Sequence, residues 1–135
     1  MSWSPLGQGI DGSAYALAAM PNSDVIAAGD FVAAGGVPAN SIARWNGASW
    51  SALGTGFNNL AHAVVSLPNG EVIAGGHFDT AGGVKVNYIA RWDGTTWSPL
   101  GAGVGYEFSW PAVDSITRLN NGDLIVSGTF SCAGS

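Results

Sequence analysis

The chain has 135 residues, 47% hydrophobic and only 10% charged, with a net charge of −5 and Arg44, Lys85, Arg91 and Arg118 as its only lysines and arginines. That balance excludes a disordered chain and leaves no basic stripe for a nucleic-acid backbone. The 21 glycines favour short strands and tight turns over helices, and the lone Cys132 allows neither an internal disulfide nor a thiolate metal cluster.

Met1-Ser2-Trp3 has neither the basic nor the apolar segment of a signal peptide. No apolar run reaches the roughly 18–20 residues of a membrane helix, so no membrane partner is expected. Trp3-Ser4-Pro5-Leu6-Gly7 opens the chain as a short strand. Ala14–Met20 and Val25–Phe31 then flank the turn Pro21-Asn22-Ser23-Asp24 and form a hairpin. The Gly-rich connection Ala34–Pro38 leads to the strand Ile42-Ala43-Arg44-Trp45, a tight turn, and the strand Trp50-Ser51-Ala52-Leu53-Gly54.

The same order then recurs. Ala61–Leu67, the turn Pro68-Asn69-Gly70-Glu71 and Val72–Phe78 are followed by Ala81–Lys85, Ile89-Ala90-Arg91-Trp92 and Trp97-Ser98-Pro99-Leu100. A third hairpin runs from Val113–Leu119 through Asn120-Asn121-Gly122-Asp123 into Leu124–Phe130, and the chain stops at Ser135. Trp3, Trp50 and Trp97 lie 47 residues apart, and residues 3–49 and 50–96 align without a gap at 24 identical positions. The domain is therefore one array of repeats, 3–49, 50–96 and a truncated 97–135. Four antiparallel strands in a period of this length fit an all-β propeller blade, which must stack on its neighbours to bury its faces.

Val72-Ile73-Ala74-Gly75-Gly76, Ile89-Ala90-Arg91-Trp92 and Thr96-Trp97-Ser98-Pro99-Leu100 together resemble a kelch-type propeller repeat. The repeat is more closely similar to the LPNGxVIAGGxF and IARWxG repeats found in tandem in secreted bacterial proteins. The resemblance implies that the first strand of each unit lies innermost and the WSxL strand outermost. It also implies an extracellular parent protein.

Two full blades and part of a third do not close a ring, since propellers hold about four to eight blades. Homo-oligomerisation is the expected remedy, most simply as a dimer forming one six-bladed ring. Ser2, Trp3, Ser4, Leu6, Phe130 and Cys132 are expected at the join. The chain then reads as a non-enzymatic scaffold or binding module, whether natural, excised or designed, with a glycan-binding lectin-like propeller as the alternative.

Candidate chemistry is sparse, and no cofactor, metal or catalytic set is expected. His62 and His77 belong to one unit, where the first unit has Tyr15 and Asp30. Ordinary surface or channel histidines are the expectation. Arg44 and Arg91 recur with their strand and are expected to bond backbone carbonyls or a carboxylate between blades. The acidic residues fall mostly at turns, where they satisfy local N–H groups. The third unit is longer, and its surplus lies in the loop containing Tyr106, Glu107, Phe108 and Trp110, aromatic faces beside a carboxylate that suit a sugar ring or a partner's apolar anchor. This loop and Asn58-Asn59 are expected to share one face and to hold any ligand site.

Overall fold

A computed structural model describes residues 3–105 and 110–133. Three antiparallel sheets follow the repeats. The first joins β1 (Ile10–Ala19), β2 (Val25–Ala34), β4 (Ile42–Trp45) and β5 (Trp50–Ala52) in that order, with β3 (Val37–Pro38) folded back on β2. The second joins β6 (Ala61–Ser66), β7 (Val72–Gly76), β10 (Ile89–Trp92) and β11 (Trp97–Pro99), while β8 (Thr80–Ala81) and β9 (Val84–Lys85) form a small hairpin beside it. The third pairs β13 (Ala112–Arg118) with β14 (Leu124–Thr129), and β12 (Val104–Gly105) pairs with β15 (Cys132–Ala133). β1 packs on β6 and β6 on β13, so the first strand of each unit meets its counterparts and the WSxL strand lies at the far edge of its sheet.

The three hairpin tips are built alike. Asn22, Asn69 and Asn121 each accept, through Oδ1, the N–H two residues on at 3.0 Å. The residue between takes a φ of +74° at Ser23, +87° at Gly70 and +94° at Gly122. Two of the three sequences therefore place glycine where the backbone turns left-handed, and Ser23 adopts the strained conformation in its place. At the next turn Asn46 and Asp93 accept two backbone N–H groups each, at 2.8–2.9 Å. The ion pairs are local too. Arg44 pairs with Asp24 at 2.6 Å and Arg91 with Glu71 at 2.6 Å, each joining a strand to the hairpin tip of its own sheet. The expected arginine contact between sheets is corrected to one within them, because Asp24 and Glu71 immediately precede the strands that neighbour Arg44 and Arg91.

Between the first two sheets, Met20, Ile26, Ala28, Ile42 and Leu53 meet Val64, Val72, Ala74, Trp92 and Trp97. Phe78, fully buried, stacks on Phe57 at a ring-centroid distance of 3.9 Å. Ile73, Ile89, Val113, Ile116 and Val126 fill the second joint. Trp97 Nε1–H donates to the Leu53 carbonyl at 2.8 Å, and Trp50 Nε1–H donates to the Leu6 carbonyl at 2.9 Å. Leu6 thus stands to the first sheet as Leu53 stands to the second. Residues 3–9 nonetheless form no strand, and Trp3 is 95% exposed.

Candidate functional site

In each unit the first long strand, β1, β6 or β13, carries one extra residue. Ala14 pairs with Gly29 and Ala16 with Ala28, leaving Tyr15 unpaired. In the same way His62 is extra between Ala61, opposite Gly76, and Ala63, opposite Gly75, and Asp114 is extra between Val113 and Ser115. Such bulges bend a strand and re-aim the extra side chain, often beside functional sites. They also explain the second position of the diglycine. A Cβ on Gly29, Gly76 or Gly128 would overlap the carbonyl of Ser13, Leu60 or Ala112 and come within 2.9, 2.7 or 3.0 Å of the Cα of Ala14, Ala61 or Val113. The bulged backbone leaves no room for it. The first position follows the neighbouring sheet instead: it is Ala28, Gly75 or Ser127, and a Cβ on Gly75 would overlap the Val113 side chain.

The bulges bring together residues far apart in the chain. The rings of Tyr15 and His62 lie 5.5 Å apart at centroids, tilted by 33°. His62 and His77 lie 4.9 Å apart at 64°, edge to face. The His77 N–H donates to the Leu60 carbonyl at 3.0 Å, which fixes the end of β7 against the start of β6. Partial burial holds the His77 pKa below the ordinary histidine value of 6.5, the His62 charge lowers it further, and the Asp114 carboxylate opposes both. The shift favours the neutral imidazole at His77. Neither histidine recurs in the other units, but the His62 position does, even though the residue there changes. The same bulged position filled by Tyr, His and Asp was the available signal.

Beside this row a cleft of about 260 Å³ lies between the first and second sheets, lined by Asp30, Val32, Asn40, Asn58, Asn59 and Leu60 among others. Asn58 is committed to structure. Its Nδ2 donates to Asp79 at 2.7 Å, and its Oδ1 accepts the N–H groups of Asp79 and Thr80 at 3.2 and 3.1 Å. That bond is the largest cause holding the Asp79 carboxyl below its ordinary 3.8, helped by Thr80 and Lys85. Asn59 is exposed on the cleft rim and accepts the Leu60 N–H at 2.8 Å.

Trp110 is 78% exposed. Tyr106, Glu107 and Phe108 lie outside the described residues, as does Ser2. Of the residues expected at the join, Trp3, Ser4 and Leu6 are exposed, while Phe130 is half-buried against the joint of the second and third sheets. Cys132 pairs through its backbone with Gly105. Among the described residues no three His, Cys, Asp or Glu side chains converge as a metal site, and no helix is long and apolar enough to cross a membrane.

No curated protein and no solved structure matches the chain. Residues 67–92, from the second hairpin tip through β10, match the family model described as a domain of unknown function (DUF5122) beta-propeller. An all-β architecture of antiparallel sheets and a β-propeller match within the second unit give a chain of β-propeller-like repeats.

Proposed function

We propose that this chain is a non-enzymatic propeller scaffold and binding module whose ring is completed by a second copy, two chains supplying six sheets. One observation carries the reading: the open face of the first sheet is equivalent, residue for residue, to the face of the second sheet that the first sheet covers. Leu17 is 65% exposed where its equivalent Val64 is 7% exposed. Ala14 is exposed and Val25 half-buried where Ala61 and Val72 are fully buried. A face with this pattern is built to receive another sheet of the same repeat. Two copies joined third sheet to first sheet at both junctions close without a free end. The arginines that the repeats share are tied to carboxylates of their own sheets, which supports a structural use for them. An extracellular parent protein belongs to the same proposal and rests on the sequence resemblance.

Sedimentation or light scattering at micromolar concentration tests the reading. The expected particle has twice the 13.6 kDa chain mass, and Leu17→Lys dissociates it. A folded wild-type monomer overturns the proposal. The exposed Trp110 favours a second reading, a lectin-like propeller. Glycan-array binding that is lost in Trp110→Ala supports it, and an array without binding rejects it.

A further inference from the structure

We infer that His62 and His77 form a two-imidazole site for a transition-metal ion of the Zn²⁺, Ni²⁺ or Cu²⁺ class. A metal bound about 2.0–2.1 Å from a ring nitrogen lies about 3.2 Å from that ring's centroid, so two imidazoles near tetrahedral geometry on one ion have centroids about 5 Å apart. The observed 4.9 Å centroid separation is close to that spacing, and turning the rings about their side-chain torsions, with neither strand moved, aims a nitrogen of each at one ion. Both residues belong to the second sheet, so the site does not depend on ring closure. Their spacing is set by backbone: the bulge displays His62, and the bond from the His77 N–H to Leu60 fixes the other side.

The Tyr15 ring lies beside His62, 5.5 Å away at centroids. Both histidines are partly exposed, which leaves an ion open positions for water. Asp114, the bulged residue of the next sheet, lies close enough for its charge to act on His77 and attracts a cation to the pair. Imidazole donors favour Zn²⁺, Ni²⁺ and Cu²⁺ over Mg²⁺ or Ca²⁺, which prefer oxygen ligands.

The test is isothermal titration of the untagged full chain at pH 7.5 with Ni²⁺ and Zn²⁺, and with Mg²⁺ as the oxygen-seeking control. One Ni²⁺ or Zn²⁺ per chain is expected, with no Mg²⁺ heat. His62→Asn and His77→Asn should each weaken binding at least tenfold, and the double variant should abolish it. Histidine ring NMR signals should shift at His62 and His77 together, and far-UV circular dichroism confirms that the variants fold. Absence of Ni²⁺ and Zn²⁺ binding overturns the site, as does binding that survives the double variant or broadens only one of the two rings.

Discussion

Replacing Gly76 by alanine tests whether the bulge and the diglycine are one device. The added Cβ would overlap the Leu60 carbonyl and approach Ala61 Cα to 2.7 Å. Both are backbone atoms of the bulge, so no rotamer change relieves the contact. Overpacking against a core costs about 1–3 kcal/mol, and rigid neighbours place this substitution near 3 kcal/mol. For a domain held by about 5–15 kcal/mol that is a large loss, and it lowers the melting midpoint by roughly 10 °C. Urea unfolding followed by tryptophan fluorescence measures it. Gly70→Ala is the reference, since no atom lies within 4 Å of its added Cβ and only the φ of +87° opposes it, at about 1 kcal/mol. Relief of the overlap requires β6 to shift at His62, so the coupling of the His62 and His77 rings should weaken in the same variant. A Gly76→Ala protein as stable as Gly70→Ala, with its histidine signals unchanged, would refute the reasoning.

Trp97→Phe removes the buried N–H donor to Leu53 and should cost about 1 kcal/mol beyond lost packing, because the carbonyl keeps only the 3.3 Å bond from the Gly56 N–H. Trp50→Phe should cost less, since Leu6 is exposed and water can replace the donor; equal losses in paired urea titrations would contradict the difference. Asn58→Ala should return the Asp79 carboxyl toward its ordinary value, read by carbon NMR of the side chain. Because the Asp79 pKa is depressed in the folded chain, its contribution is complete above the unfolded value and is lost as pH falls through the folded one. The variant should therefore flatten the fall of stability in the acid range, and an unchanged acid slope would show that Asn58 is not its main partner.

The period was legible because it is carried by residues with one steric solution each. Trp3, Trp50 and Trp97 mark it, and the Asn of each hairpin tip reports a side-chain bond that recurs at the same length. Strand order followed from the hairpins. The bulges did not follow from pattern, because an extra residue in a strand reads as ordinary alternation. Their trace was Gly29, Gly76 and Gly128, which reads as a family signature until Ser13, Leu60 and Ala112 are seen against it. The histidine pair was hidden for a related reason: 14 residues of hairpin separate His62 from His77, and a β-bulge, which has no sequence letter, closes the distance. Arg44 and Arg91 find their carboxylates within the sheet rather than between sheets, because the fold places Asp24 and Glu71 one strand away.

The three units keep the same bulge and change what it displays. Tyr15, His62 and Asp114 sit on one repeat position, so the architecture fixes where the side chain points and leaves its chemistry open. The sheet faces vary under a different constraint. On the face that the second sheet turns to the third stand Ala63, Val65, Leu67, Ile73 and Gly75; the equivalent face of the third sheet has Ser115, Thr117, Leu119, Ile125 and Ser127, all exposed. A joint formed by that face against Leu17 and Val25 would bring hydroxyls to apolar side chains, where each needs a water or a backbone carbonyl to remain satisfied. Closure by a second copy, as proposed, would therefore be weaker per contact than the joint within the chain, and such a ring would be free to open.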